Sequence, residues 1–164
     1  MEIAIQELSP GSFAPFGELV ECPSRQPDAT GTGWSWWAET VLLPADARPY
    51  GVGYLSLQPA DLSFDWAERH LATVEMLIPA SGECLVYVAP ANDPEDPDGS
   101  PSPEDYQIFR VRQGQGVLLR PGVWHGAPLA LDDNVWVFVL LLQNTGRDDT
   151  RVVRFPETPI TIQS

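Results

Sequence analysis

The sequence predicts an all-β protein with a sandwich or barrel core. In a chain of 164 residues, 17 prolines and 13 glycines separate short apolar segments, which is typical of strands joined by turns. The run at 135–142 is apolar without polar alternation, and this favours a strand that is covered on both faces. Hydrophobic residues make up 43% of the chain, too many for a disordered protein. The length fits one domain over residues 1–164.

Five segments are strand candidates in chain order: Gly53–Leu57, Cys84–Ala89, Tyr106–Val111, Gly116–Leu119 and Val135–Leu142. Between the second and third candidates, residues 92–105 contain four prolines and six acidic residues, which predicts a solvated loop. We expect no calcium there, because an EF-hand loop that begins at Asn92 or Asp93 would place a proline at a ligand position.

The segment at 64–78 has two interpretations. Apolar residues recur at alternating spacings of three and four, which is the pattern of an amphipathic helix: Phe64, Ala67, Leu71, Val74 and Ile78. The alternative is a strand, a turn and a second strand, with Glu68 and His70 on one face at a spacing of two. The local pattern alone favours the helix.

The charge of the chain restricts its partners. A formal net charge of −14 argues against nucleic acid and against an anionic membrane surface. An anionic small molecule would need local positive charge from arginine or a metal. All nine basic residues are arginines, which excludes Schiff-base chemistry on lysine and a P-loop.

The sequence also predicts a cytoplasmic protein. No apolar run approaches the roughly 18 residues of a membrane span, and no secretory signal is visible at the N-terminus. Cys22 and Cys84 form no CxxC pair and are far apart in the chain, which fits a reducing compartment.

Two motifs resemble those of cupins. The spacing Glu68-x-His70-x4-Glu75-x6-Gly82 is similar to the first cupin motif, with Glu68 in place of its first histidine, and PGVWH, ending at His125, is similar to a shortened second motif. With FAPFGELVE, ERHLATVEMLIP, LVYVAPA and QGVLLRPGVWHGAPLAL, the chain resembles the ureidoglycolate lyase family of small cupins (older name, ureidoglycolate hydrolase) from about Phe13 to Leu131.

This resemblance implies a cupin-type double-stranded β-helix, or jelly-roll barrel, as a single domain with few short helices. It therefore predicts strands rather than one helix over 66–78. The family is usually dimeric, so we expect a homodimer. It cleaves ureidoglycolate to glyoxylate and urea in allantoin breakdown, so the expected partner is a small anionic 2-hydroxy acid bearing a ureido group.

In a cupin, His70 and His125 converge inside the barrel. With Glu68 and Glu75 they could bind a divalent transition metal such as Mn, Fe, Co, Ni or Zn. We expect Glu75, Glu68 and His125 to be catalytic, with a carboxylate taking the substrate's hydroxyl proton and burial beside Val74 and Met76 raising its pKa.

Each of these residues could instead have a purely structural role. A single histidine is usually a hydrogen-bonded core residue or a surface residue. Glu68 could be a polar residue at a strand start, and Glu75 could point outward with Thr73. Arg69 should point away from Glu68 and His70, as part of a surface or structural ion pair.

Two further residues are candidates for substrate binding. Arg120 could supply positive charge for a carboxylate, and Trp124 lies beside His125. The chain departs from the family where Gly126 replaces a second histidine and where Glu75 replaces a glutamine. Two other functions therefore stay open: a non-catalytic cupin that binds a small carboxylic acid, and another metal-dependent cupin reaction, such as that of a dioxygenase or isomerase.

Overall fold

The computed structural model describes residues 1–93, 96, 99–155 and 159–163. These residues form sixteen strands: β1 Glu2–Glu7, β2 Gly17–Val20, β3 Ala29–Gly31, β4 Trp34–Trp36, β5 Tyr50–Leu57, β6 Ser63–Phe64, β7 Trp66–Arg69, β8 Glu75–Ser81, β9 Cys84–Ala89, β10 Gln107–Val111, β11 Gly116–Leu119, β12 Trp124–His125, β13 Leu129–Ala130, β14 Val135–Leu142, β15 Arg151–Arg154 and β16 Ile160–Gln163. The helices are short: α1 (Pro10–Phe13), α2 (Thr145–Asp148) and a 3-10 turn at Pro103–Asp105. No helix in these ranges is long and apolar enough to cross a membrane.

Two sheets build the barrel. The nine-stranded sheet has the order β15-β7-β12-β9-β10-β1-β16-β6, with β13 also paired to β9, and the five-stranded sheet has the order β2-β11-β8-β14-β5. Strands β3 and β4 form a separate hairpin. The main core draws side chains from both sheets, so the two sheets pack face to face. The predicted all-β, cupin-type jelly roll is confirmed.

Strand β9 is buried on both faces. Cys84, Val86 and Val88 belong to the core between the two sheets. The alternate residues Leu85, Tyr87 and Ala89 belong to a second core behind the nine-stranded sheet. Full burial on both sides explains why this strand shows no polar alternation in the sequence.

Strand β14 has the predicted bounds, but its outer face is only partly covered. Val135 and Val137 are fully buried between the sheets, whereas Trp136 on the opposite face is 47% exposed. The prediction that both faces are covered is wrong at the Trp136 end, whereas on the same face Leu140 packs in an apolar cluster and Leu142 is buried.

The segment at 64–78 forms strands, as the family resemblance predicts and the local periodicity does not. Residues 66–69 form β7, which pairs with β12 and β15, and Glu75 begins β8, which pairs with β11 and β14. Backbone pairing on both sides of each strand outweighs a helical pattern of apolar residues. Glu68 and His70 therefore share a face, as strand geometry requires.

The motif FAPFGE anchors the N-terminal helix to the core. Phe13 and Phe16 are fully buried and pack against Phe109 of β10, with ring centroids 5.2 and 5.8 Å from it. Such aromatic clusters bury large areas and add edge-to-face attraction. The spacing of the two phenylalanines thus reflects one packing site between the sheets.

We expect Phe109→Ala to lower the free energy of unfolding by about 3–5 kcal/mol, because it leaves a cavity in this aromatic cluster. Leu42→Ala is the control, since Leu42 is 69% exposed, and it should change stability by at most about 0.5 kcal/mol. Urea denaturation followed by fluorescence measures both. Equal losses in the two variants would contradict the assigned core.

Candidate functional site

The two sequence motifs meet on neighbouring strands. Strand β12 pairs antiparallel with β7 so that His125 lies opposite Glu68. Residues directly opposite each other in a ladder share a face, and His70 lies two residues further along on that same face. The imidazole centroids of His70 and His125 are 5.3 Å apart. The structure therefore brings the only two histidines of the chain together.

Glu75 reaches this pair from the other sheet. It begins β8 and is only 8% exposed. Its Oε2 atom lies 2.9 Å from Nε2 of His125 and 3.2 Å from Nε2 of His70. One carboxylate oxygen from the five-stranded sheet thus contacts both imidazoles of the nine-stranded sheet.

The alternation along β8 confirms which way Glu75 points. Its neighbours Val74 and Met76 pack with Leu118 in a separate apolar cluster on the outer side of the five-stranded sheet. Leu77, two residues from Glu75, belongs to the core between the sheets. The alternative in which Glu75 points outward is therefore wrong.

The other nitrogen of each ring is already bonded. Nδ1 of His125 lies 3.0 Å from the carbonyl oxygen of Val123, and Nδ1 of His70 lies 2.9 Å from that of Asp149. A carbonyl oxygen only accepts hydrogen bonds, so each Nδ1 carries a hydrogen and donates it. A neutral ring then presents the lone pair of Nε2 to Glu75. The site is built to hold a cation or added protons between the two Nε2 atoms and the carboxylate.

The protonation equilibria agree with this geometry. Burial opposes charge on His125 and His70, but the interaction of both rings with Glu75 outweighs it and raises the pKa of each histidine. Burial also favours a neutral Glu75, yet the two histidines outweigh it and lower its pKa to about 2. The expectation that burial raises the pKa of Glu75 is wrong: burial does favour the neutral carboxyl, but the two histidines outweigh it. Val74 and Met76 face the other way.

Glu68 completes a group that fits a metal ion. Donor atoms of Glu68, His70 and His125 all lie within 4.8 Å of one another. Two imidazole nitrogens with free lone pairs and a carboxylate are a donor set that suits a divalent transition metal. The carbonyl acceptors behind both rings fix their orientation, as usual for metal-binding histidines. Glu68 is half-buried and lines the cavity described next.

The cluster opens into a cavity of about 280 Å³. Glu68, His70 and Glu75 line one end of it. The remaining walls are mainly small and apolar: Gly53, Tyr54, Leu55, Gly126, Ala127, Pro128, Val139, Leu141, Thr145, Gly146 and Thr150. The described lining contains no arginine. This volume is at the lower end for ligand pockets, which usually measure about 300–1,000 Å³, and it suits a small molecule.

The structure does not bring the two predicted substrate-binding residues into this cavity. Arg120 is exposed, lines a different cavity beside Glu18, and directs its guanidinium toward the carbonyl oxygen of Pro15 at 3.5 Å. Trp124 is 1% exposed and packs on the back of the nine-stranded sheet. Its Nε1 donates to Asn92 at 3.0 Å.

Arg69 lies behind the site, as strand alternation predicts. It is fully buried, with its guanidinium carbon 4.6 Å from the centroid of the Trp124 ring. The side-chain oxygen of Asn92 and the carbonyl oxygen of Asp96 accept its hydrogen bonds. Arg69 is thus a structural residue held by carbonyl oxygens and an aromatic ring.

The sequence did not indicate that Asp149 contacts His70. Its carbonyl oxygen accepts from the imidazole, and the hydroxyl of Thr150 lies 3.4 Å from the same Nδ1. Both residues lie about 80 positions after His70, in a polar stretch without a recognisable motif. The pairing of β15 with β7 brings this stretch to the site.

Together, the face-to-face sheets and the enclosed imidazole–carboxylate cluster define a cupin-type barrel with a small interior ligand site. Comparison with known proteins places it more narrowly. The family described as "Ureidoglycolate lyase" matches residues 1–163. The chain belongs to this family.

Proteins named ureidoglycolate lyase are similar in sequence to this chain over most of its length. A ureidoglycolate lyase of Azotobacter vinelandii is 30% identical over 138 residues, 80% of this chain and 80% of its own. One of Schizosaccharomyces pombe is 31% identical and covers 98% of this chain and 95% of its own. Among solved structures, the rmlC epimerase of Mycobacterium tuberculosis matches with a TM-score of 0.46 and 16% identity, over 70% of this chain and 62% of its own.

The cluster should make stability depend on pH in the metal-free protein. Glu75, with a lowered pKa, contributes stability above its unfolded value of about 4.5 and loses it as pH falls toward 2. The histidines, with raised pKa values, contribute stability that is complete below about 6.5 and is lost as pH rises through their folded values. We expect Glu75→Gln to destabilise the protein most between about pH 4.5 and 6.5, by about 1 kcal/mol or more.

Urea unfolding at a series of pH values measures this difference between the wild type and Glu75→Gln. Glu2→Gln is the control, because Glu2 is exposed on β1, and it should show no maximum in that window. A destabilisation by Glu75→Gln that is independent of pH would contradict the ionised cluster.

Proposed function

We propose that this chain is a ureidoglycolate lyase that cleaves ureidoglycolate, or a close 2-hydroxy acid, to glyoxylate and urea. The observation that carries the proposal is the meeting of two imidazole Nε2 atoms and Glu75 at the end of a small cavity, in a chain of the ureidoglycolate lyase family. The reaction belongs to the breakdown of allantoin.

The charge of the substrate supports a role for a cation in this site. Ureidoglycolate carries a carboxylate, while the protein has a formal charge of −14 and no arginine among the described residues of the cavity wall. Positive charge must therefore come from the histidine cluster, either as protons or as a bound metal ion. Arg120 and Trp124 have no role in this proposal.

We assign Glu68, His70 and His125 as the ligands of a divalent transition metal. When bound, such an ion would supply positive charge for the carboxylate of a 2-hydroxy acid and would lower the pKa of its hydroxyl group. The protein's own contribution is to hold both Nε2 lone pairs toward the carboxylate of Glu75, which lines the cavity.

Glu75 is the proposed general base. It accepts the proton of the substrate's hydroxyl group, and the oxygen's electron pair forms the carbonyl of glyoxylate. The carbon–nitrogen bond breaks, and its electron pair goes to the ureido nitrogen. That nitrogen takes the proton back from Glu75, so urea leaves and the carboxylate is regenerated. The apolar walls at Leu55, Val139 and Leu141 limit access of water.

Glu75→Gln should reduce the rate of glyoxylate release by about 10²–10⁴-fold, because an amide cannot take the hydroxyl proton near neutral pH. His125→Ala should be at least as damaging, since it removes a predicted ligand and the partner of Glu75. Glyoxylate formation from ureidoglycolate is the assay.

Glu2→Gln, the same chemical change on the surface, should keep wild-type activity. Full activity in Glu75→Gln would exclude the base role. A wild type that binds a small carboxylic acid tightly without turnover would instead indicate a binding protein.

We further propose that two copies associate through the outer face of β5 and β14. Val52 and Tyr54 are each 63% exposed there, and Trp136 is 47% exposed. Neither strand contains a charged residue, although the chain is strongly acidic, and β5 is the edge of its sheet. An apolar face on an open edge strand is unfavourable in water, and a second copy would cover it.

Trp136→Glu should convert the homodimer to a monomer, because it places a charge in the proposed interface. Val152→Glu, at an equally exposed position on the other sheet, should leave the dimer intact. Sedimentation velocity distinguishes the two states. A monomeric wild type would rule out the dimer.

Two further assignments complete the proposal. We place the protein in the cytoplasm, since neither Cys22 nor Cys84 forms a disulfide. We also treat residues 1–164 as one domain, because the terminal strands β1 and β16 pair with each other within the nine-stranded sheet.

A further inference from the structure

Asp149 contacts both the imidazole of His70 and the backbone that follows it. Its side-chain oxygens accept hydrogen bonds from the backbone N–H groups of Leu71 at 3.0 Å and Ala72 at 2.8 Å. These are the two residues that follow His70. A carboxylate that accepts two backbone N–H bonds fixes the conformation of the chain there.

The backbone of Asp149 contacts the imidazole itself. Its carbonyl oxygen lies 2.9 Å from Nδ1 of His70, and its N–H donates to the carbonyl oxygen of Thr145 at 2.9 Å. The hydroxyl of Thr150 donates to the same carbonyl of Thr145 at 3.1 Å. The acceptor that faces His70 is therefore itself held in place by bonds to α2.

We propose that Asp149 is a positioning residue that fixes His70 with Nδ1 protonated and Nε2 directed at Glu75. The side-chain oxygens of Asp149 hold Leu71 and Ala72, and so keep His70 aligned with that carbonyl oxygen. If the alignment is lost, a neutral His70 would gain by moving its hydrogen to Nε2, where the carboxylate of Glu75 could accept it. That tautomer has no lone pair on Nε2 for a metal ion or substrate proton. Asp149 thus selects the tautomer that keeps the site competent.

The two histidines differ in which residue fixes the tautomer of the ring. His125 bonds to the carbonyl oxygen of Val123, two residues away in the same segment, and needs no distant partner. The acceptor for His70 comes from 79 residues away. The proposal therefore predicts that a change at Asp149 affects His70 and leaves His125 unaffected.

Because the chain has only two histidines, the tautomer of each one can be measured directly. Long-range ¹H–¹⁵N spectra of the full-length, ¹⁵N-labelled protein, without added metal, contain signals from only two imidazoles. The spectra are recorded at a pH at which both imidazoles are neutral, because the ¹⁵N shifts of a neutral ring report its tautomer. We expect both wild-type rings to carry the hydrogen on Nδ1. Asp149→Ala keeps the backbone carbonyl but removes the bonds to Leu71 and Ala72 that align His70 with it. His70 should therefore shift toward the Nε2–H form while His125 stays unchanged.

Asp148→Ala is the matched control. It removes one carboxylate at the adjacent position, where the side chain contacts Arg147 at 2.6 Å and is exposed. Its spectra should match those of the wild type. Asp149→Asn retains one side-chain acceptor oxygen and should give an intermediate His70 signal. If the alanine variant does not fold, the asparagine variant tests the role of Asp149 in its place.

The kinetic consequence rests on the proposed function, whereas the spectroscopic one does not. Loss of such supporting contacts typically costs about 10–100-fold in activity or metal affinity, so we expect that loss in glyoxylate release for Asp149→Ala and none for Asp148→Ala. A wild-type His70 in the Nε2–H form, or His70 signals unchanged in both Asp149 variants, would overturn the proposal. A wild type that releases no glyoxylate would count against the lyase assignment alone, since the spectra would still decide the role of Asp149.

Discussion

The contact between the Glu75 carboxylate and two imidazoles joins the two sheets of the barrel at one buried point. Glu75 comes from the five-stranded sheet, and His70 and His125 come from the nine-stranded sheet. A buried carboxylate without a partner is costly, and so is a buried imidazolium. Each sheet therefore supplies the group that the other needs. This contact requires the sheets to face each other, β7 to pair with β12, and β8 to present Glu75 on its inward side.

Much of the architecture could be predicted from the sequence because it depends on local signals. Turn residues and apolar runs located the central strands within a few residues. The helical periodicity at 64–78 was misleading, since it ignores the backbone partners that β7 and β8 find far away in the chain. Motif spacing corrected it, because two histidines in fixed motifs constrain which strands must be neighbours.

The remaining features depend on long-range geometry. The lowered pKa of Glu75 requires both imidazoles to meet one oxygen, which spacing along one strand does not reveal. Arg120 is next to the second motif in sequence but projects to another surface. Asp149 is far from His70 in sequence yet bonds to it. Proximity along the chain was therefore a poor guide to which polar groups share the site.

The buried pair of Arg69 and Trp124 restricts how the length of this chain can change. Because side chains alternate along β7, losing or gaining one residue there would turn Arg69 into the cavity and Glu68 and His70 toward the back. The guanidinium would then lie against the apolar cavity wall, and the space beside Trp124 would receive an acidic or imidazole side chain. Insertions and deletions should thus persist only in the turns between strands, and descendants of this chain should keep the β7 segment at constant length.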